Sequence, residues 1–351
     1  MELEELRKKI DRIDSEMVKL LNKRIEFALR TKKLKPKVAD ETREIDVLDK
    51  VKKQRGLIRP EFHEKIYKDI LAESKRLQEQ APKLAGFQGE HGAFSEVAVR
   101  AHDRLLIPIP CTEFSEVFEG VENKQLDFGV VPVENTLGGA VTQVNDLLME
   151  TNLKIVAEVK IPIHHCLITL PETDYREIKV VYSHPQALSQ CRGFIARNKL
   201  EARPYYDTAG AAMMISNEQP TAAAAIASRL CAEIYGLEVL KENIEDHESN
   251  LTRFVVLARE KNEEKGNKCS IVFSTAHKSG ALFRVLKAFS DANINLTRIE
   301  SRPIVKDPGK FGFLLDFQGS DEDGKVTDAL DKVRKETTMY KFLGCYTEAT
   351  G

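Results

Sequence analysis

The chain has 351 residues, which suits two or three domains, and its 42% hydrophobic and 31% charged residues are typical of soluble globular proteins. Its 53 basic and 55 acidic side chains nearly balance, so no global field attracts nucleic acid or an anionic membrane. The charged N-terminal segment is unlike a signal peptide, and no stretch approaches the ~20 apolar residues of a membrane span.

The first eighty residues carry a helical pattern. Apolar residues recur at three- and four-residue steps, which predicts an amphipathic helix of about thirty residues that Pro36 ends. A second helix is expected from Asp40, a good N-cap residue, to Gly56. A third should begin near Pro60 and stop at Pro82. Because one helix is very long, these helices cannot enclose a compact core alone, and we expect a dimer with exchanged helices.

The segment from Lys83 to Arg259 alternates strand and helix patterns, which predicts an α/β domain with a mainly parallel sheet. Strands are expected at Lys83–Phe87, Phe128–Val133, Ile155–Val159, Cys166–Leu170, Lys179–Tyr182 and Phe254–Ala258. Helices are expected at Ser95–His102, Ser115–Asn123, Ala187–Asn198 and Ala222–Tyr235. The run Lys160–Cys166 is interpreted as a crossover, because the pattern restarts after it. Two lobes would then hold a ligand at their hinge.

A polar linker, Glu260–Lys268, precedes a C-terminal βαββαβ pattern. Its elements are predicted at Cys269–Ser274, Gly280–Ala292, Asn295–Pro303, Gly312–Phe317, Lys325–Lys335 and Phe342–Tyr346. This is the ferredoxin-like order, with helices on one face of an antiparallel sheet.

The cysteine and histidine spacing predicts no metal site. None of the six cysteines lies in a C-x-x-C pair or beside histidine at zinc-finger spacing, which indicates reduced thiols in the cytoplasm. The adjacent His164 and His165 would face opposite ways on a strand, so a structural pair is expected. The sequence likewise shows no nucleotide or nicotinamide motif, and we expect no cofactor.

Three N-terminal motifs resemble the all-helical chorismate mutases: Leu6–Asp14, Leu20–Arg24 and Arg43-Glu44. The resemblance implies rearrangement of chorismate to prephenate with no nucleophile or cofactor. It implies that Arg7 and Arg24 hold the two carboxylates by bidentate pairing, and that Lys35 and Gln78 face the ether oxygen. The remaining implied pocket residues are Asp40, Arg43, Glu44 and Ser74.

Helix geometry tests part of this assignment. Arg7 and Arg24 lie ~25 Å apart along one helix at a rise of about 1.5 Å per residue, so they cannot hold the same small molecule. Lys35 shares a face with Arg24, and Ser74 shares one with Gln78. Arg7 would therefore serve the pocket of a partner chain, which agrees with the expected dimer. The alternative is that the segment is only a helical dimerisation arm.

Five motifs in the middle segment resemble prephenate dehydratase, and the resemblance implies a two-lobed fold like that of periplasmic binding proteins. They are Gly89–Ser95, Val133–Val141, Ser183–Cys191, Asp207–Ala212 and Asn250–Phe254. The implied reaction releases the ring carboxylate as CO₂ and the ring hydroxyl as water, with Thr252 as proton donor. His184 or a water would relay the proton. Arg253 is a further candidate for a carboxylate ligand, although a strand would point it away from Thr252. The other implied cleft contacts are Asn135, Thr136, Ser183, Gln186, Thr208 and Asn250.

Two C-terminal motifs, Ser279–Phe283 and Thr297–Pro303, resemble the amino-acid-binding ACT domain of prephenate dehydratases. The resemblance implies that L-phenylalanine binds where two such domains meet and closes the dehydratase cleft. The implied effector contacts are Ser279, Gly280, Ala281, Leu282, Asn293, Asn295, Glu300 and Ser301. The alternative is an inert ferredoxin-like oligomerisation module.

The segments together predict a helical mutase domain over residues 1–82, a dehydratase domain over 83–260 and an ACT domain over 268–347. This order resembles the bifunctional chorismate mutase/prephenate dehydratases, or P-proteins. The expected ligands are chorismate, prephenate and L-phenylalanine, and the expected assembly is a homodimer or homotetramer. Three alternatives stay open: dehydration of arogenate at the second site, a catalytic domain that is only structural, and a non-catalytic amino-acid sensor.

Overall fold

The N-terminal region is helical, as predicted. The computed structural model describes residues 3–304 and 310–349. Its first elements are α1 (Leu3–Lys33), α2 (Glu41–Lys52) and α3 (Pro60–Glu79). The Asp40 carboxylate caps α2 by accepting a hydrogen bond from the Arg43 backbone N–H at 3.0 Å, and Pro60 occupies the first turn of α3.

The apolar stripe of α1 is left uncovered within one chain. Leu6, Ile10, Ile13 and Met17 are between 41% and 57% exposed, although their spacing places them on one side of the helix. A stripe of this kind needs a partner surface, because exposed apolar rows are unfavourable in water.

The middle region is built from alternating strands and helices. Its elements are β1 (Leu84–Gln88), α4 (Phe94–His102), β2 (Ile107–Cys111), α5 (Phe114–Glu122), β3 (Phe128–Asn135), β4 (Gly139–Ala140), α6 (Thr142–Glu150), β5 (Lys154–Pro162), β6 (Cys166–Thr169), a short 3-10 helix (Tyr175–Glu177), β7 (Val180–Ser183), α7 (Pro185–Gln190), α8 (Arg192–Arg197), β8 (Glu201–Pro204), α9 (Thr208–Glu218), β9 (Ala223–Ala227), α10 (Arg229–Tyr235), β10 (Glu238–Lys241) and β11 (Leu251–Ala258).

These strands form two sheets, one in each lobe. The first lobe has the order β2-β1-β3-β11-β5, with β4 added to β3, and the second has the order β10-β6-β9-β7-β8. The chain leaves the first lobe after β5 and returns to it with β11. The two-lobed architecture expected from the restart of the pattern is therefore confirmed.

The expectation of a mainly parallel sheet was wrong, because both sheets are mixed. Strands β1, β2 and β3 pair in parallel, as do β7, β8 and β9. Strand β11, however, pairs antiparallel with both β3 and β5, and β6 pairs antiparallel with β9 and β10. In the first lobe β11 and the short β4 run against the other strands, and in the second lobe β6 runs against the other four.

Two helix predictions also differ from the structure. Ala222–Tyr235 is not one helix: Ala223–Ala227 is a fully buried strand, and α10 begins only after Ser228, whose side chain caps it. Alanine favours helices, but small side chains also fit a strand covered on both faces, and that packing decides here. The predicted helix Ala187–Asn198 is divided at Cys191 into α7 and α8.

The C-terminal region has the predicted βαββαβ order. Its elements are β12 (Lys268–Ser274), α11 (Ala281–Asp291), β13 (Leu296–Pro303), β14 (Phe311–Gln318), α12 (Gly324–Glu336) and β15 (Met339–Tyr346). They form an antiparallel sheet of order β13-β14-β12-β15.

The two faces of this C-terminal sheet contact different partners. Ile271 and Phe273 pack with residues of α11 and α12. Val272 and Leu314 join a second core cluster that also contains first-lobe residues and Leu29 of α1. The C-terminal domain thus docks on the first lobe through a shared apolar core. Within the part of the chain that is described, no helix is both long and apolar enough to cross a membrane.

Candidate active sites

The first candidate site lies where α2, α3 and the loop after α1 meet. Ser74 is buried on α3 and accepts a hydrogen bond from Gln78 Nε2 at 3.0 Å. Lys35 Nζ lies 3.1 Å from Asp40 Oδ2. The backbone N–H of Arg43 and the Lys35 ammonium hold the pKa of Asp40 below its usual range. Lys35 and Gln78 both line a cavity of about 250 Å³.

Glu44, on the neighbouring helix α2, already has a partner that the sequence did not suggest. Lys75 Nζ lies 2.9 Å from Glu44 Oε2. Lys75 could have been found from its position next to Ser74 on α3, yet among many surface lysines that signal is weak. The side chain of Arg43 is exposed, and only its backbone takes part in the Asp40 contact.

Arg24 is the least satisfied group of this region. It is partly buried, and its Nη1 has no hydrogen-bond partner among residues 3–304 and 310–349. Because a buried donor without an acceptor costs roughly 1–3 kcal/mol, this atom favours an anionic ligand. Arg7 is exposed near the other end of α1, so one chain does not bring the two arginines together.

The second candidate site centres on a hydrogen-bonded pair between β3 and β11. Thr252 lies directly opposite Asn135 in the strand register. Asn135 Nδ2 donates to Thr252 Oγ1 at 2.9 Å and to Asn250 Oδ1 at 2.8 Å. Thr252 therefore uses its oxygen as an acceptor, which leaves its hydroxyl proton for a substrate. Asn250 Nδ2 is buried and has no partner in the described part of the chain.

The loop after Asn135 meets the second lobe across the cleft. Asn135 Oδ1 accepts hydrogen bonds from the backbone N–H groups of Leu137 at 3.0 Å and Gly138 at 2.7 Å. A Cβ atom on Gly138 would lie 2.5 Å from Nε2 at the flexible end of Gln186, so the Gly138 backbone and the Gln186 side chain are in close contact. Gln186 and the predicted cleft residues of the first lobe are thus neighbours.

The other predicted cleft residues are more involved in local structure. Ser183 Oγ donates to the Ile226 carbonyl at 2.5 Å, and Thr136 Oγ1 donates to the Ser249 carbonyl at 2.8 Å. His184 Nδ1 accepts from the Gln186 backbone N–H at 3.2 Å, and Thr208 is the first residue of α9. These contacts fix the local structure at both edges of the cleft.

Arg253 is placed differently from its predicted role. Its guanidinium is 5% exposed and is surrounded by carboxylates of Glu134, Glu158 and Asp316 at 2.6, 2.8 and 2.6 Å. Asp316 belongs to β14 of the C-terminal domain. Strand alternation turns Arg253 away from Thr252, and each of its three guanidinium nitrogens donates to a carboxylate at the interdomain boundary. We therefore leave Arg253 out of the proposed substrate site.

The adjacent histidines have separate partners. His164 Nδ1 lies 2.8 Å from Glu245 Oε1, whereas the buried His165 places Nε2 2.9 Å from Gln190 Oε1. Burial lowers the pKa of His165. Over residues 3–304 and 310–349, no group of three or more His, Cys, Asp or Glu side chains is arranged to hold a metal ion.

The predicted effector contacts form two separate sets within one chain. Gly280, with a positive φ of 77°, precedes α11, while Asn293 and Asn295 follow the other end of that helix. Eleven helical residues span about 16 Å, more than the length of one amino acid. Asn295 Nδ2 donates to Gln318 Oε1 at 3.0 Å beside a polar cavity of about 490 Å³. Of the other predicted contacts, Ser279, Ala281 and Leu282 adjoin Gly280 at the start of α11, and Glu300 and Ser301 lie on the edge strand β13.

A histidine joins the helical domain to the first lobe, a contact that sequence reasoning missed. His91 Nε2 lies 2.9 Å from Glu26 Oε1 on α1, and Nδ1 lies 3.0 Å from the fully buried Glu96 Oε2. Burial alone would lower the pKa of His91, but these two hydrogen bonds outweigh it and raise the pKa to about 9. His91 is therefore charged at neutral pH and links the two domains.

His91→Gln is expected to destabilise the protein most below neutral pH. The pKa of His91 is raised in the folded state, so its stabilisation is complete below about pH 6.5 and is lost as the pH rises through about 9. Because His91 is partly exposed, the effect is discounted for solvent screening. We expect His91→Gln to lower the free energy of unfolding by about 2 kcal/mol near pH 6 and by little near pH 10. Urea unfolding of both proteins at the two pH values measures this. Glu26→Gln should show a smaller loss of the same sign, and a pH-independent difference would contradict the assignment.

The fold and the candidate sites together define a multidomain enzyme. It has a helical domain with a pocket lined by cationic side chains, a two-lobed domain with a polar cleft, and a C-terminal domain of a ligand-binding type. Family models match in the same order: chorismate mutase type II over residues 6–79, prephenate dehydratase over 85–262 and ACT domain over 270–335. The chain belongs to the prephenate dehydratase family, in the arrangement that carries a chorismate mutase domain ahead of it.

Some curated relatives match nearly the whole chain, and others match about three quarters of it. The bifunctional chorismate mutase/prephenate dehydratase of Aquifex aeolicus is 34% identical over 99% of this chain and 98% of its own length. Arogenate dehydratase 2 of Petunia hybrida is 39% identical over 76% of this chain and 72% of its own length.

Solved structures agree with this fold. Prephenate dehydratase from Arthrobacter aurescens in complex with L-Phe is 32% identical, with a TM-score of 0.70 over 76% of this chain and 90% of that one. A protein described as GqqA, a quorum quenching acylase, is 31% identical, with a TM-score of 0.72 over 76% of this chain and 98% of that one.

Proposed function

We propose that this chain is a bifunctional enzyme that rearranges chorismate to prephenate in its helical domain and converts prephenate to phenylpyruvate in its two-lobed domain. The observation that carries the proposal is the similarity to a bifunctional enzyme over 99% of the chain, with both candidate sites present. The protein is proposed to act in the cytoplasm, which suits its six free, buried cysteines.

In the mutase step, the protein holds a dianion in a reactive conformer and stabilises charge on the breaking ether oxygen. Arg24 binds one carboxylate through its guanidinium, whose Nη1 has no hydrogen-bond partner among the described residues. Arg7 of a second copy binds the other, because α1 separates the two arginines within one chain. Lys35 and Gln78 face the ether oxygen, and Glu44 binds the ring hydroxyl. Asp40, Arg43 and Ser74 support these groups.

In the dehydration step, the C4 hydroxyl of prephenate leaves as water and the ring carboxylate leaves as CO₂. The electron pair of the breaking C–C bond enters the ring, which becomes aromatic as the hydroxyl departs. Thr252 delivers the proton to the leaving hydroxyl, while Asn135 holds its oxygen at 2.9 Å. His184 or a water returns a proton to Thr252. Asn250 and Gln186 contact the substrate, as do Thr136, Ser183 and Thr208.

L-phenylalanine is proposed as the feedback inhibitor. The similar dehydratase from Arthrobacter aurescens is in complex with L-Phe. Because α11 separates Gly280 from Asn293 and Asn295, one effector molecule can reach both sets only between two copies of the domain. A homodimer or homotetramer would satisfy this requirement, and the uncovered stripe of α1 supports the same assembly.

Arogenate is the second candidate substrate of the dehydratase site. The relative from Petunia hybrida is an arogenate dehydratase, and it is 39% identical to this chain. Arogenate has an ammonium where prephenate has a keto group, so the ratio of kcat/KM for the two substrates separates the candidates. A pure amino-acid sensor is disfavoured, because binding alone does not require the Asn135–Thr252 hydrogen bond in the cleft.

The deciding experiment gives the purified enzyme chorismate alone and follows loss of chorismate and formation of phenylpyruvate, with and without L-phenylalanine. We expect phenylpyruvate to form and phenylalanine to suppress it. Accumulation of prephenate would confirm the mutase and would indicate that the second site either acts on arogenate or is inactive. No loss of chorismate would exclude the mutase assignment and would favour the alternative of a non-catalytic amino-acid sensor.

A further inference from the structure

An ion pair joins α2 to α3 at the proposed mutase pocket: Lys75 Nζ lies 2.9 Å from Glu44 Oε2. We propose that Lys75 is a positioning residue of the mutase site, which holds the Glu44 carboxylate in place and balances its charge beside a dianionic substrate. The inference rests on the proposed function in one respect, namely that Glu44 binds the ring hydroxyl of chorismate. It adds a residue that acts through Glu44 and does not itself touch the substrate.

Lys75 lies on α3 among the residues of the proposed pocket. It directly follows Ser74, which is buried and accepts a hydrogen bond from Gln78 Nε2 at 3.0 Å. Lys75 and Gln78 are three positions apart, so their side chains are neighbours on the surface of the helix. Gln78 lines the same cavity as Lys35. Lys75 is therefore placed at the border of the proposed site.

Glu44 lies in the first turn of α2 and points one carboxylate oxygen at this lysine. The Lys75 ammonium donates to Oε2, and Oε1 is outside this hydrogen bond. The contact thus fixes the carboxylate while one oxygen remains for a hydroxyl donor. The two side chains are 38% and 27% exposed, so a small molecule can reach the pair.

The first contribution of Lys75 is to order Glu44 before the substrate arrives. A glutamate side chain without a fixed partner samples several rotamers, and ordering it on binding costs conformational entropy. The ion pair with α3 removes this cost in advance. Order of this kind matters for the rate, because misplacement of a group by about 1 Å can cost about 100-fold.

The second contribution is to balance the charge of Glu44. Chorismate is a dianion, and a carboxylate that accepts a hydrogen bond from the hydroxyl of so small a molecule lies close to its negative charges. Like charges repel at such distances, and the Lys75 ammonium offsets this repulsion. Without Lys75, Glu44 would oppose the binding that Arg24 and Lys35 favour.

The pocket contains a second ion pair in which the roles are exchanged. Lys35 Nζ lies 3.1 Å from Asp40 Oδ2, and there the cation is proposed to face the substrate while the carboxylate holds it. In the Lys75–Glu44 pair, the carboxylate faces the substrate and the cation holds it. Lys35 and Glu44, which are both proposed to contact the substrate, are thus each held by an oppositely charged neighbour.

The alternative is that the Lys75–Glu44 pair only joins two helices. The chain offers a matched control, because Lys52 of α2 pairs with Glu64 Oε2 of α3 at 3.0 Å and is similarly exposed. Exposed pairs of this kind add little to stability. Both pairs join the same helices at nearly the same distance, but only the first includes a residue of the proposed pocket.

The test compares Lys75→Met with the control Lys52→Met in the whole chain. The readouts are mutase kcat and KM for chorismate, while thermal unfolding and dehydration of supplied prephenate measure folding. We expect Lys75→Met to lower mutase kcat/KM by about 10- to 100-fold, with part of the effect in KM, because the dianion then meets an unbalanced carboxylate. Lys52→Met should stay within about twofold of the parent.

Two further variants show whether Lys75 acts through the charge of Glu44. Lys75→Arg keeps a cation opposite Glu44 and should stay within about threefold of the parent. In a Glu44→Gln background, Lys75→Met should lower kcat/KM by less than about twofold further, because the charge that Lys75 holds is already gone.

Four outcomes overturn the inference: Lys75→Met at the parent rate, an equal fall in Lys75→Met and Lys52→Met, Lys75→Arg as slow as Lys75→Met, or an undiminished effect of Lys75→Met in the Glu44→Gln background. If Lys75→Met fails to fold, Lys75→Gln replaces it, because glutamine keeps a polar side chain on the surface of α3. Failure of the proposed function is recognised separately, because Arg24→Ala would then convert chorismate as fast as the parent.

Discussion

Thr252→Ala is expected to lower dehydration of prephenate by about 100- to 10,000-fold, the range in which one acid catalyst contributes. The structure gives the reason: Thr252 Oγ1 accepts a hydrogen bond from Asn135 Nδ2 at 2.9 Å, so the hydroxyl proton remains available for a substrate. Chorismate mutase activity should not change, because the helical pocket is on a different domain. Steady-state assays with chorismate and with prephenate supplied separately measure both effects.

Thr252→Val is the matched control for packing, since valine keeps the branched shape that suits a strand and removes only the hydroxyl. Thr252→Val should dehydrate prephenate as slowly as Thr252→Ala, whereas Thr252→Ser should retain a large part of the parent dehydration rate. If valine supported dehydration at the parent rate, the hydroxyl would have no catalytic role and the proton would come from another group.

Arg24→Ala is expected to reduce mutase turnover by at least about 100- to 1,000-fold, as removal of one charge-stabilising donor does in other enzymes. Its Nη1 is buried without a partner in the described residues, so the guanidinium is ready for a carboxylate. Arg24→Lys should also have low mutase activity, because an ammonium cannot make the bidentate contact with a carboxylate. Dehydration of supplied prephenate should stay near the parent rate.

Arg76→Ala serves as the control for Arg24, because Arg76 is an exposed arginine of α3 that pairs with Glu73 on the same helix. A surface pair of this kind contributes little, so both activities should be retained. A parallel loss of mutase and dehydratase activity in Arg24→Ala would show that the two domains do not work separately, and the assignment of Arg24 would then be wrong.

Much of the fold could be predicted from local sequence patterns, since apolar periodicity and turn residues determine structure over short stretches of chain. The long helix ended by Pro36, the cap at Asp40 and the C-terminal βαββαβ order were all predictable for this reason. The buried strand Ala223–Ala227 was not, because alanine-rich sequence favours a helix and only packing between layers selects the strand. The direction of the strands also escaped prediction, since β11 pairs with residues of β3 and β5 that are between 89 and 128 positions away in the chain.

In the candidate sites, too, the contacts within one domain were predictable from the sequence and the contacts between domains were not. The motif positions of Asn135, Thr252 and Asn250 predicted one cleft, and the structure places these side chains within hydrogen-bonding distance. The surroundings of Arg253 could not be predicted, because its partner Asp316 belongs to another domain and the contact exists only after docking. The partner of His91 on the helical domain was hidden for the same reason, since Glu26 lies on α1.

The position of β11 in the first sheet has a consequence for how the protein is made. This strand lies between β3 and β5, although the whole second lobe separates it from them in the chain. During synthesis the first lobe therefore emerges with a gap in its sheet, and both flanking strand edges must stay open until Leu251–Ala258 leaves the ribosome. Pairing across such long loops is slow, and open edges promote aggregation. Thr252 enters with that last strand, so a chain that stalls within the second lobe lacks the proposed proton donor.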